Sequence, residues 1–210
     1  MADYTLYGFD GSTYVRTVKM LFAEKHGGAY DQVPVNVLEG EPKSEEHLAR
    51  HPFGKIPVLD HKDMRIIETS AICQYLDTVL PGIALVPSDP KGRARMDMAT
   101  AIVDSYTYGP VIAGVVAYHL FPDFVGGKDE EAHKAGIEDA KKAISELMKI
   151  KGHDQYLAGE QISIADLYLA PLLAYIAMTP HKDEFMALEG VADWWALISA
   201  RESFKATDPS

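Results

Sequence analysis

Two short stretches hold the residue types best suited to chemistry. The first is Pro52-Phe53-Gly54-Lys55-Ile56-Pro57-Val58-Leu59, a loop running into an apolar strand through Ile56-Pro57. Proline has no N–H to give a strand ladder, so Pro57 sits awkwardly at a strand mouth. In the cis form, the Ile56-Pro57 bond turns its carbonyl and leaves the Ile56 backbone able to pair with an extended peptide. The second stretch is Ile66-Ile67-Glu68-Thr69-Ser70-Ala71-Ile72, a strand that ends at Glu68 and turns into a helix. A helix start offers open N–H groups and a positive end, which attract anions. Thr69 adds a hydroxyl and Glu68 a carboxylate for an amine. A peptide-pairing edge beside an anion-plus-amine pocket suits a small peptide with a free amino-acid end.

Elements must hold these stretches in place. Tyr4 to Phe9 reads as a strand ending at Asp10-Gly11, and Ser12 then caps a helix by accepting from an N–H of the first turn. Val15, Val18, Leu21 and Phe22 lie on one face of that helix, and Gly27-Gly28 stops it. Val33, Val35 and Val37 alternate as a strand whose Pro34 argues for an edge position. Ser44-Glu45-Glu46 opens a short helix. Val58-Leu59 and Met64 to Ile67 form a hairpin around His61-Lys62-Asp63, and Ile72, Leu76, Val79 and Leu80 make one face of a helix starting near Ser70. The order β-α-β-α-β-β-α describes a small mixed sheet with flanking helices.

Leu80-Pro81-Gly82 to Pro87-Ser88-Asp89-Pro90 is rich in proline and marks a boundary. After it the pattern is helical throughout: Lys91 to Leu120 with a kink or break at Gly109-Pro110, Asp129 to about His153, an apolar run from Leu167, and Val191 to Ala200. Ser163-Ile164-Ala165-Asp166 is a capping box with Asp in the position usual for Glu or Gln. The expected division is 1–79, a linker at 80–90, and an all-helical 91–210.

The 210 residues are 47% hydrophobic and carry a net charge of −11. That charge opposes nucleic acid or an anionic membrane as the main partner. The single cysteine, Cys73, excludes an internal disulfide, fits a reducing compartment, and reads as a packing residue. The first residues lack a basic, apolar leader and no stretch is long and apolar enough to span a bilayer, so a cytoplasmic location is expected. His47 and His51 are four apart, but His51 precedes Pro52 and falls outside a helix, so no metal is expected.

Taken together, the α/β unit, the proline linker and the helical second half resemble the soluble glutathione transferases. The likeness is to the serine-type classes, above all the plant-like phi class. It rests on Leu6-Tyr7-Gly8 with Ser12-Thr13, on His47-Leu48-Ala49-Arg50 followed by Pro52 to Pro57, on Glu68-Thr69-Ser70-Ala71-Ile72-Cys73, and on Tyr156-Leu157-Ala158-Gly159 with Ser163 to Asp166. Each piece is weak alone, while their order and spacing are specific.

The resemblance implies a thioredoxin-like α/β domain before an all-α helical bundle. It implies glutathione as co-substrate, no metal, and a homodimer. Ser12 takes the place of the catalytic serine, whose hydroxyl donates to the glutathione sulfur. Ile56 pairs with the cysteinyl unit beside cis-Pro57. Thr69 and Glu68 take the γ-glutamyl carboxylate and amino group, and Lys43 and Lys55 the glycine end. Two positions depart from the phi pattern: Pro42 replaces a histidine and Lys55 a glutamine. Tyr14, Ile112, Val116 and Leu120 are candidates for an apolar acceptor wall, and ordinary packing is an equal reading for the last three. The expected reaction is attack of the glutathione thiolate on an electrophile. The alternatives are a glutathione-dependent peroxidase and a non-catalytic binding protein of the same fold.

Overall fold

The structure is a computed structural model that describes residues 3–25 and 29–209. The chain divides into two compact units, one running to Ala84 and taking up the chain again from Glu202, the other Leu85–Arg201.

The first unit is a four-stranded sheet with helices. Its elements are β1 (Tyr4–Tyr7), α1 (Thr13–Glu24), β2 (Tyr30–Val33), α2 (Glu45–Leu48), β3 (Val58–His61), β4 (Met64–Ile67) and α3 (Thr69–Val79). The strand order is β2-β1-β3-β4. β2 runs parallel to β1, while β3 is antiparallel to both β1 and β4. This is the expected β-α-β opening followed by a hairpin. β2 is an edge strand, as Pro34 requires, and it ends at Val33 instead of continuing to Val37. Without an N–H, Pro34 cannot extend the ladder. The expected stop at Gly27-Gly28 lies outside the described residues.

Helix α1 buries Val15, Val18, Leu21 and Phe22, and α3 buries Ile72, Cys73 and Leu76. Val79, expected on that face, is 41% exposed. Gly8 lets α1 approach the sheet: a Cβ there would lie 2.4 Å from a Val15 methyl. The far ends of α1 and α3 are tied by Lys25. Its buried ammonium donates to the Asp77 carboxylate (2.8 Å), the Asp77 carbonyl (3.0 Å) and the Ile83 carbonyl (2.8 Å). Three acceptors offset the cost of burying that charge.

Helix α10 (Glu202–Ala206) belongs to this unit, although the sequence reading assigns all of 91–210 to the helical domain. The cause is Arg16, buried on α1, which donates to the Phe204 carbonyl at 2.9 Å and lies 4.3 Å over the Phe204 ring.

The second unit is helical: α4 (Pro90–Ile102), α5 (Ala117–Leu120), α6 (Glu130–Lys151), α7 (Ile164–Ala177), α8 (Lys182–Met186) and α9 (Val191–Ser199). The chain stays helical between α4 and α5. Gly109 has φ −58° and ψ −58°, and the turns at 103–107 and 110–116 widen to the π type. The expected break at Gly109-Pro110 is therefore absorbed, because a wider turn accommodates a residue that has no N–H to give. Gly114 and Gly136 meet where this segment crosses α6, and a Cβ on Gly114 would lie 2.6 Å from the Gly136 Cα.

Asp166 closes the expected capping box at α7. Fully buried, it accepts from the Ser163 N–H and hydroxyl, the Leu157 N–H and the Trp194 indole at 2.8–2.9 Å. Burial pushes its carboxyl up from the usual range, against four donors that favour the charged form. Among the described residues no helix is long and apolar enough to cross a membrane.

Candidate functional site

Strand register assembles the site in the first unit. Tyr7 pairs with Val33 on one side and Val58 on the other, and Val58 pairs with Ile67. These four residues form one row at one end of the sheet. From that end leave the Gly8–Ser12 loop, the Ile56-Pro57 segment and the Glu68-Thr69 helix start. The Ser12 loop thus emerges beside two stretches more than 40 positions further along the chain.

Ser12 is the N-cap of α1, with φ −79° and ψ 126°. Its Oγ accepts only a long bond, 3.4 Å, from the Val15 N–H, which leaves the hydroxyl proton for another acceptor. The loop before it is held by Asp10, which accepts from Lys19 (2.7 Å) and from Gln32 (2.8 Å). The Lys19 bond holds the Asp10 carboxyl below its usual range despite partial burial. Gln32 also donates to the Gly8 carbonyl at 3.2 Å. Tyr7 is a hydroxyl near Ser12 in sequence, and its ring lies 4.6 Å under the Arg50 guanidinium. Tyr14 is half-buried on α1.

The Ile56-Pro57 bond is cis. Sequence reasoning did not single out the residue that holds the preceding loop. His47 on α2 is 1% exposed, and its Nε2 lies 2.8 Å from the Lys55 carbonyl. As a carbonyl only accepts, Nε2 carries the proton. The second clamp is His51, also 1% exposed, whose Nδ1 accepts from the Phe53 N–H at 3.3 Å. His47 lies in the quoted motif and His51 in the gap between its two parts, but spacing alone did not separate clamp from ligand. Between them Gly54 adopts φ 59°, and a Cβ there would lie 2.7 Å from the Pro42 carbonyl. Glycine is the residue for that conformation and that approach. Lys43 reaches to 3.5 Å from the Phe53 carbonyl. Lys43 and Lys55 are both exposed, while Pro42 is buried.

At the third corner, Glu68 adopts φ 70° and ψ 119° as N-cap of α3. A positive φ costs a non-glycine residue of order 1–3 kcal/mol and gathers at functional sites. No described side chain caps α3, so its first N–H groups have no side-chain acceptor, and Thr69 beside them is buried at 8% exposure. The Glu68 carboxylate is itself 67% exposed. Of the acceptor-wall candidates in the second unit, Val116 is fully buried, while Ile112 and Leu120 are half-buried.

This arrangement can hold an amino-acid end by backbone N–H groups and a carboxylate, pair an extended peptide at Ile56, and present a hydroxyl at a helix N-terminus. Comparison with known proteins gives the family. The family model for the glutathione S-transferase N-terminal domain matches residues 2–78, and that for the C-terminal domain residues 108–202. A probable glutathione S-transferase of Oryza sativa subsp. japonica, GSTF2, is 33% identical over 206 residues, covering 97% of this chain and 94% of that protein. Glutathione S-transferase F7 of Arabidopsis thaliana is 28% identical, covering 98% and 99%. The crystal structure of glutathione transferase F7 from Populus trichocarpa superposes with a TM-score of 0.84 at 29% identity, covering 97% of each chain. A glutathione S-transferase-I structure bound with lactoylglutathione gives 0.84 at 27% identity, covering 99% of each. With both halves matched in order, a thioredoxin-like sheet before a helical domain and relatives of the plant phi type, this chain belongs to the glutathione S-transferase family.

Proposed function

We propose that this protein is a glutathione S-transferase in which Ser12 stabilises the thiolate of glutathione for attack on an electrophilic, largely apolar acceptor. The observation that carries this reading is the single sheet row Tyr7-Val58-Ile67, which brings the Ser12 loop, cis-Pro57 and Glu68-Thr69 to one end of the sheet. In this reading the γ-glutamyl carboxylate sits at the open N–H groups and hydroxyl of Thr69, its amino group at Glu68. The cysteinyl backbone pairs with Ile56, and Lys43 and Lys55 face the glycine carboxylate. With Pro42 lacking any donor, those two ammonium groups carry that contact by charge.

The thiol then lies at Ser12. A free thiol titrates near 8.5, and lowering it by about two units asks for about 2.7 kcal/mol. One hydroxyl hydrogen bond to the anion together with the positive end of α1 is of that size. The thiolate sulfur forms a bond to the electrophilic carbon, the leaving group departs with the carbon's bonding pair or the π electrons shift, and the hydroxyl bond to sulfur is given up as its charge is lost. Tyr14 in the first unit and Leu120 in the second, both half-buried, are the candidates for acceptor contact, while Val116 is buried in the core of its own unit. We further propose a homodimer in the cytoplasm, with no metal in the transfer step.

The test is a panel of halonitroaromatics, isothiocyanates and hydroperoxides with glutathione. Conjugation of the carbon electrophiles supports the transferase. Turnover of hydroperoxides alone points to a peroxidase on the same thiolate, and glutathione binding without any turnover to a binding protein.

A further inference from the structure

Within the second unit, three histidines from separate elements converge: His119 at the end of α5, His133 in the first turns of α6, and His181 just before α8. Each offers a ring nitrogen, and the three nitrogens lie within 4.8 Å of one another. We propose that His119, His133 and His181 bind one first-row divalent transition ion of the zinc class.

Proton placement argues for a cation. The His133 Nδ1 lies 2.7 Å from the Gly114 carbonyl, and the His181 Nδ1 lies 2.8 Å from a Glu184 carboxylate oxygen. Both partners only accept, so each Nδ1 carries a hydrogen, and in the neutral ring that leaves a lone pair at Nε2. Those two Nε2 atoms face each other at 3.0 Å. Two lone pairs at that distance repel unless a cation lies between or beside them. The third ring adds a further nitrogen: His119 Nε2 is buried and has no hydrogen-bond partner among the described residues.

The geometry fits a metal with small adjustment. Zinc–nitrogen bonds of about 2.0–2.1 Å at a tetrahedral angle place ligand nitrogens about 3.3 Å apart. The ring centroids are 5.0–5.2 Å apart, with His133 and His181 nearly edge to face. Metal-bound histidines commonly donate their outer N–H to a carbonyl or carboxylate, and both arrangements are present here. Glu184 is held in turn by Lys141 at 3.1 Å. The scaffold is stiff: the Gly114–Gly136 crossing brings α6 against the Gly114 carbonyl, and Tyr118 stacks on His133 at 4.1 Å with the planes 8° apart. An all-imidazole set selects zinc, copper, nickel or cobalt over magnesium or calcium. Three protein ligands leave a fourth position for water or a small anion. His133 and His181 are 48 residues apart in the chain, which is why no spacing motif announces the site.

The experiment uses untagged full-length protein stripped with chelator and titrated with Co²⁺, read by the visible absorption of four-coordinate cobalt, then displaced with Zn²⁺. One ion per chain is expected. His133→Ala and His181→Ala should each weaken binding by about 100-fold or more, since losing an outer partner alone costs 10–100-fold. Glu184→Gln should fall within that lower range, and His153→Ala, at an exposed histidine outside the cluster, should leave binding unchanged. Circular dichroism checks that each variant is folded. No saturable Co²⁺ binding in the wild type overturns the proposal and leaves a shared proton between His133 and His181 in place of the metal. Binding undiminished in both histidine variants overturns it as well.

Discussion

The His51 Nε2 stands 4.0 Å from the Glu68 carboxylate, with the ring side chain 2% and the carboxylate 67% exposed. The Nδ1 of that ring already accepts from the Phe53 N–H, so Nε2 carries the proton and points at Glu68. At 4.0 Å this is a polar contact and not a hydrogen bond. Burial holds the His51 imidazole below the ordinary histidine value of 6.5, outweighing the pull of Glu68. The ring is therefore mostly neutral at pH 7 and does not neutralise the Glu68 charge.

That shift sets a pH dependence. With the folded pKa lowered, the unfolded chain binds the proton more readily. The stability contributed by His51 is fully present above about pH 6.5 and is lost as pH falls through the folded value. His51→Gln should flatten the acid side of a plot of unfolding free energy against pH relative to wild type. Urea denaturation between pH 7.5 and about pH 5 measures it, and parallel curves for the two proteins would remove His51 as the cause.

Ser12→Ala should lower turnover by about 100-fold or more while glutathione affinity changes much less. That split marks a bond stronger to the thiolate and the transition state than to the bound thiol. Steady-state kinetics with calorimetric binding reads it. Unchanged turnover would move the hydroxyl role to Tyr14 or Tyr7.

Glu68→Ala and Thr69→Ala should each weaken glutathione binding by about 1.5–3 kcal/mol, the loss of a charged hydrogen bond, or roughly 10- to 150-fold. Calorimetry on both variants tests this. Normal affinity in the two would show that the α3 start is not the γ-glutamyl pocket.

Phe53 is 68% exposed and reaches His51 only edge to face, at 6.0 Å between centroids. An exposed ring on a loop clamped by its own N–H is a ready anchor for a second copy of the chain, and two-fold symmetry makes the contact occur twice. Wild type should sediment as a dimer at micromolar concentration, and Phe53→Asp should dissociate or weaken measurably. A wild-type monomer, or a Phe53→Asp dimer as tight as wild type, would exclude this role.

Local chemistry was written in the sequence. Helix capping at Ser12, Ser44 and Ser163, the apolar face of α1, the proline-rich boundary and the order of strands and helices all follow from neighbours a few residues apart. Helix and turn signals act over that range. So did the motifs that pointed to the family, and with it the assignment of Ser12, Pro57, Glu68 and Thr69. Contacts between distant residues were decided only by the tertiary structure. The row Tyr7-Val58-Ile67 depends on strand register. The Lys25 anchor on Asp77 and the hold of Arg16 on Phe204 pair residues 52 and 188 positions apart. The positive φ of Glu68 comes from fitting a strand end to a helix start. His47 became a clamp because the Lys55 carbonyl lies opposite its Nε2. The cluster of His119, His133 and His181 exists because two glycines let one helix segment settle against another, and no periodicity along the chain records such a crossing.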